Sequence, residues 1–323
     1  MRHWRAGDDV GVAGLSVTEG ARPEPTATEM VVEVHAAALN FSDLLMIDGT
    51  YQIKPPRPFT PGQEVAGMVV STPEGSHWAP GDRIAAKVLW GGFGEFARVR
   101  TDMAIRIPDG VDLARAAALP VVYTTAMVAL SECASVSADD RVLVHAAAGG
   151  VGLAAVEIAK ARGAQVIATA GSEAKLALAK AHGADAGINY RSEDWVAAVK
   201  ALTEDHGADL ILDPVGGEIG ERSLRCIARD GTLLIVGFAS GDIPKLAGHQ
   251  LLLKRAAAKG VYWDHDFDGP MIKRATDELI RMLVGGEIDP VVDDGYGFDD
   301  LPRALADLGT RGSVGKLIIR MHT

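Results

Sequence analysis

The sequence predicts an α/β protein built in two parts, a β-rich segment and then a doubly wound parallel sheet. Three observations carry that prediction. Residues 1 to about 117 read as short strands separated by Pro/Gly clusters. Near Leu113 the hydrophobic period becomes helical, and beyond it strands and helices alternate. Inside the alternating part, a β-branched run, a glycine turn and an apolar helical run follow without a gap. Such alternation forces parallel strands joined by right-handed crossovers.

In order along the chain, residues 30–37, 64–71, 83–88, 95–100 and 104–107 have strand composition. Lys54–Pro55–Pro56, Thr60–Pro61–Gly62 and Ala79–Pro80–Gly81–Asp82 punctuate them. Residues 114–119 and 123–133 look helical, with Pro120 breaking between them. Six strands of the alternating part are expected at 141–146, 165–170, 186–190, 209–213, 232–237 and 257–263. Residues 271–284 form an amphipathic helix that Gly285–Gly286 stops. The pieces at 291–292, 301–308 and 316–320 fit poorly as a seventh parallel strand, so they return to the first part. That makes residues 1–117 and 265–323 one discontinuous domain and residues 118–264 the other.

The strand 141–146 leads into Ala147–Ala148–Gly149–Gly150–Val151–Gly152, an A-x-G-x-x-G turn in which Ala147 replaces the usual first glycine. Gly149 lets the backbone approach a pyrophosphate, and Gly152 lets the helix pack closely on the strand. Free N–H groups at the helix start, Gly150 and Val151 among them, and the positive dipole end then face the phosphates. This is a dinucleotide site.

The cofactor expected is NADPH. NAD sites carry a carboxylate at the tip of the second strand to hold the ribose 2′-hydroxyl. Here the strand ends Thr169–Ala170–Gly171–Ser172, and Glu173 lies in the next helix, serving the N-cap of Ser172. Ser172 and Lys175 are placed to meet a 2′-phosphate, and Tyr190–Arg191, on the same sheet edge, to close over it. The plainer alternative makes Ser172 only a cap and Lys175 and Arg191 solvated surface residues.

Composition narrows the partners. Hydrophobic residues make up 48% and charged residues 23%, which suits a globular chain. The formal net charge of −11, without a long Lys/Arg cluster, argues against nucleic acid or an anionic membrane. The start, Met1–Arg2–His3–Trp4–Arg5, has no apolar core of a signal peptide, and no apolar run reaches the ~18 residues that span a bilayer. Cys133 and Cys226 are expected to be buried in helix-like stretches in a reducing compartment, the cytoplasm. His145, inside a strand, is expected to be packed and satisfied, and Asp213 to brace a loop.

Together these pieces resemble the zinc-free branch of the medium-chain dehydrogenase/reductases, and within it the quinone oxidoreductases. The resemblance rests on Ala38–Leu39–Asn40–Phe41–Ser42–Asp43 with Gly49–Thr50–Tyr51, on Pro61–Gly62–Gln63–Glu64–Val65–Ala66–Gly67, and on Leu119–Pro120–Val121–Val122–Tyr123–Thr124–Thr125–Ala126. The glycine turn, Ile188–Asn189–Tyr190–Arg191 and Gly315–Lys316 complete it. One departure follows Gly67, where Ser71–Thr72–Pro73–Glu74–Gly75 replaces the family's usual turn and Trp78 adds an aromatic to the outer face.

The resemblance implies a GroES-like catalytic domain, a Rossmann domain for NADPH, an active site in the cleft between them, and homodimers formed through the sixth strand. It further implies that Thr124, Val236, Gly237, Phe238 and Lys316 touch cofactor. Zinc-bearing relatives place Cys where this chain has Asn40 and His where it has Gln63, and amides are poor zinc ligands. No metal is expected. Quinones, or C=C bonds conjugated to a carbonyl, are the acceptors that need no Lewis acid. Tyr51 is the favoured proton donor, with a pocket wall as its alternative, and Asn40 orients nicotinamide or substrate unless it is a turn residue. Asp43 reads as a helix-start or loop-bracing residue. An enoyl-CoA or 2-alkenal reductase, and a non-catalytic NADPH-binding protein, are the competing readings.

Overall fold

A ten-residue strand, Glu29–Ala38, organises the first half of the fold, because its two ends pair with different neighbours. The computed structural model describes residues 1–310 and 312–321. They fall into two units, Met1–Val121 with Pro290–Thr323, and Val122–Asp289.

The strands of the first unit, in chain order, are β1 (Arg2–Ala6), β2 (Leu15–Glu19), β3 (Glu29–Ala38), β4 (Glu64–Ser71), β5 (Arg83–Lys87), β6 (Phe96–Arg100) and β7 (Ala104–Arg106). The second unit supplies β8 (Arg141–Val144), β9 (Gln165–Ala170), β10 (Ala186–Asn189), β11 (Ala208–Asp213), β12 (Ile227–Ile235) and β13 (Ala257–Gly260). The chain then returns to the first unit with β14 (Val292–Gly297) and β15 (Lys316–Arg320).

In the first unit one sheet runs β14-β15-β3-β4-β5-β7, and β6 pairs with the first half of β3. β14 and β15 thus belong to the sheet of the first unit. Alternate residues of β3 and β4 meet Trp4, Phe93, Phe298, Leu301, Leu305 and Leu317 in one apolar core. That burial, at about 25 cal/mol per Å² of apolar surface, is the main force holding this sheet and its covering segments together. Trp78 belongs to this core rather than to an outer face, and its indole N–H donates to Thr101 O. The pairing of β1 with β2 was not anticipated: β2 is largely exposed, and both short strands are rich in polar residues.

The second unit is a six-stranded, all-parallel sheet in the order β10-β9-β8-β11-β12-β13. Val142, Leu143, Val144, Ile167, Ile211 and Leu233 are fully buried along it, as parallel strands covered on both faces require. This unit also holds the helix His265–Val284, so it extends past the expected end at 264. That helix starts six residues before the anticipated 271, since Asp264 caps it and the helix carries Pro270 in its second turn.

Two further expectations need correcting. Pro120 does not separate two helices. Residues Leu113–Cys133 form one helical stretch that widens to π geometry over Leu119–Tyr123 and Val128–Cys133, where the looser turn accepts a residue without an N–H. By length and composition this stretch is apolar enough to cross a membrane, contrary to expectation; 78% of its apolar window is buried. Cys133 is only half-buried at that helix end, while Cys226 is buried in a turn.

Candidate active site

Each unit carries one group of the expected site residues. In the second unit, β8 ends and Ala146 takes a left-handed conformation, φ 48°, that throws the chain into the glycine turn. Gly149 N–H donates to the Ala146 carbonyl at 2.9 Å, and the helix Gly150–Ala161 starts there with Gly149 as its cap. A methyl group on Gly152 would come within 2.3 Å of the Ala146 oxygen, so only glycine permits this helix–strand approach. Neither Gly149 nor Gly150 puts a side chain at the helix mouth, where the first N–H groups emerge.

A second cluster forms where β9 and β10 end. Ser172 caps the helix Glu173–Ala181, its Oγ accepting from Lys175 N–H at 3.4 Å, so the cap role holds. A Cβ on Gly171 would meet Tyr190 Oη at 2.6 Å and Arg191 Nε at 3.1 Å, which places both side chains directly over the strand tip. The Lys175 amine is held below its usual range, by burial first and by the Arg191 charge second. Glu173 is not part of the Ser172 cap; its carboxylate accepts from Asn189 Nδ2 at 2.9 Å.

The segment after β12 carries Val236, Gly237 and Phe238. Val236 N–H donates to Asp213 O and Ala239 N–H to Pro214 O, laying it beside the loop that follows β11. Gly237 faces open space apart from Pro214 O at 3.6 Å, and Phe238 is exposed. The glycine turn, Ser172, Tyr190 and Val236–Phe238 thus all follow carboxyl ends of parallel strands, and the strand order reverses between β8 and β11. That crevice is where open α/β sheets bind ligands. Thr124 is fully buried in the helical stretch before β8.

Asp213 braces its loop as expected, accepting from Val215 and Gly216 N–H, and burial raises its pKa. His145 is packed edge-on against Trp195 and bonded to Thr169 and Ser223; burial pushes its pKa down to about 3, so it stays neutral.

In the first unit three adjacent strands bring Asn40, Glu64 and Lys316 together. β15 pairs antiparallel with β3 through Ile318–Ala38, and carrying that register two residues on puts Lys316 opposite Asn40. Val65 pairs with Ala37, so Glu64 stands at the same end. The Lys316 ammonium lies 2.8 Å from Glu64 Oε2 and 2.5 Å from Asn40 Oδ1. Asn40 Nδ2 donates to Glu64 Oε2 at 3.1 Å, and Val121 N–H to Glu64 Oε1 at 2.7 Å. Lys316, Glu64 and Asn40 are all buried.

Asp43 sits at the third position of the helix Phe41–Ile47 and accepts the Asn40 N–H at 2.7 Å. Complete burial raises its pKa to about 7. Gln63 Oε1 accepts from Ser42 Oγ. The Tyr51 ring packs near Ala6, Met46 and Phe59. The sequence reading places Glu64 only within its motif and does not foresee the pairing with Lys316; a carboxylate opening an otherwise apolar strand is the signal that points to it. Among the described residues, no three His, Cys, Asp or Glu side chains converge as metal ligands.

Comparison with known proteins agrees with this architecture. The alcohol dehydrogenase GroES-like domain model matches residues 26–109, and the zinc-binding dehydrogenase model matches residues 150–283. The quinone oxidoreductase-like protein 2 homolog of Nematostella vectensis is 35% identical, over 94% of this chain and 85% of that protein. The Escherichia coli quinone oxidoreductase complexed with NADPH superposes with a TM-score of 0.92 at 29% identity, covering 99% of this chain and 100% of that one. A structure described as an NAD-dependent alcohol dehydrogenase also scores 0.92 at 29% identity, covering 100% of both chains, so the fold alone does not choose the coenzyme. The GroES-like and Rossmann-like sheets, the glycine turn and these relatives together place the chain in the quinone oxidoreductase-like family of the medium-chain dehydrogenase/reductases.

Proposed function

We propose that this protein is an NADPH-dependent oxidoreductase that passes hydride to quinones or related conjugated carbonyl acceptors without zinc. The observation that carries the coenzyme choice is the group of Ser172, Lys175, Tyr190 and Arg191 at the β9 tip, where an NAD site would present a carboxylate. The glycine turn fits a pyrophosphate, because Gly149 and Gly150 leave backbone rather than side chain at the helix mouth and Gly152 lets the helix start close to the strand. NADPH, when bound, supplies the hydride.

The chain supplies position and polarity. Gly149, Gly150, Val151 and Gly152 hold the pyrophosphate, and Thr124, Val236, Gly237 and Phe238 line the nicotinamide half. Asn40 offers an amide N–H to the acceptor or to the carboxamide. Tyr51 donates the proton where an acceptor needs one. Zinc independence is supported by the donor set: the Asn40 and Gln63 amides are engaged by neighbouring side chains, and an ammonium stands beside Asn40.

Homodimerisation is part of the reading. β13 lies at the open edge of its sheet with all four residues exposed, and Leu252, Leu253, Tyr262 and Phe267 are exposed apolar residues of neighbouring segments.

The test follows NADPH absorbance with a small quinone, an enal and crotonyl-CoA. Oxidation with the quinone is expected. Tyr51→Phe should lower enal turnover far more than quinone turnover, since water can protonate a reduced quinone. Preference for crotonyl-CoA would replace the quinone reading with an enoyl-thioester reductase, and no oxidation with any acceptor would leave a nucleotide-binding protein.

A further inference from the structure

Lys316 was expected to touch cofactor, yet its ammonium is committed inside the protein. It is 2.8 Å from Glu64 and 2.5 Å from Asn40 Oδ1, and both of those side chains are buried. We propose that Lys316 is a positioning residue: with Glu64 it locks the Asn40 side-chain amide in one orientation, leaving a single N–H to serve the reacting molecules. This rests on the oxidoreductase reading for its functional meaning, but the geometry is the chain's own.

The electrostatics admit one arrangement. The amide oxygen faces the ammonium, and the amide nitrogen faces the Glu64 carboxylate. A half-turn of the amide would set its NH₂ against the ammonium and its oxygen against the carboxylate, both unfavourable. Glu64 cannot swing away, because its other oxygen accepts from Val121 N–H. Asn40 cannot move either, since its own backbone N–H is held by Asp43 Oδ2. With Nδ2 giving one hydrogen to Glu64, only its second hydrogen is left to direct.

The pair is also expensive as mere scaffolding. Buried ion pairs are commonly no more stabilising than apolar residues of equal volume, whereas removal of one partner strands the other charge. A role in orientation accounts for an arrangement that packing alone does not favour.

Asparagine occurs only at positions 40 and 189 in this chain, which makes the test direct. Selective ¹⁵N-asparagine labelling gives two side-chain amide pairs, and an Asn189→Asp variant assigns them. In the wild type the Asn40 pair should be two distinct, slowly exchanging signals. In Lys316→Met it should exchange at least tenfold faster or broaden, and unchanged signals would overturn the proposal whether or not the enzyme is active. With NADPH and a quinone, Lys316→Met should lower kcat at least tenfold while the NADPH Kd, read by fluorescence, stays within about twofold. A tenfold rise in Kd at unchanged kcat would make Lys316 a cofactor contact and refute positioning. The double variant Lys316→Met/Glu64→Leu should recover thermal stability without recovering kcat; recovery of both would show a purely structural pair. An inactive wild type would sink the functional reading alone, with the amide signals still deciding the positioning.

Discussion

Lys175 and Arg191 stand beside the β9 tip, where burial first and the Arg191 charge second hold the Lys175 amine below its usual range, and the proposed coenzyme reading sets the 2′-phosphate against these two cations. A charge-assisted bond to phosphate contributes about 1.5–3 kcal/mol, or roughly 10- to 100-fold in affinity. Lys175→Ala should therefore raise the KM for NADPH by about tenfold or more and leave that for NADH nearly unchanged. Equal shifts for both coenzymes would remove the phosphate from this corner. Asp43 allows a pH prediction. Its folded pKa of about 7 lies above the ordinary 3.8, so the folded state favours the protonated form. The resulting stability is fully present below about pH 4 and lost as pH rises towards 7, on the order of a few kcal/mol. In Asp43→Asn the side-chain oxygen can still accept the Asn40 N–H and never ionises. The melting temperature of the variant minus that of wild type should be larger at pH 8 than at pH 5, and a constant difference would refute the assignment.

Among elements, the join between β8 and the helix Gly150–Ala161 is the least forgiving. Gly152→Ala would drive a methyl into the Ala146 carbonyl and must displace backbone rather than a flexible side chain. A loss of about 1–3 kcal/mol is expected, with weaker nucleotide binding, both measurable in one thermal-shift series with and without NADPH. Unaltered melting would show that the helix can slide. This join was legible in the sequence because three local signals coincide: a β-branched run, close-set glycines and an apolar helical period. The same locality explains the agreement at β3, β4, β9 and β15. What stayed hidden depends on partners distant along the chain. The bonds joining Lys316 and Glu64 to Asn40 exist only through strand register, and the π-widened helix keeps Pro120 inside it because its surroundings bury that stretch. For Glu173 the sequence pointed to the Ser172 cap, and the neighbouring strand end supplies its partner instead, Asn189.

For the whole molecule, the proposed dimer rests on β13, the edge strand of its sheet. Its exposed backbone, together with Tyr262 and Phe267, is expected to be covered by a second copy of the chain. Tyr262→Asp should shift the sedimentation coefficient from dimer to monomer, and a wild type already monomeric at micromolar concentration would rule the dimer out.

The route of the backbone has a further consequence for how the protein is made. Residues Val122–Asp289 are inserted between two portions of the other unit, so all the strands of their parallel sheet are synthesised before β14 and β15. β3, by contrast, leaves the ribosome early and must wait for Lys316–Arg320 before its second half gains a hydrogen-bonded neighbour opposite β4. The nascent β3 therefore keeps one side of its second half open until β15 has been made, an interval in which chaperones and misassembly compete for it.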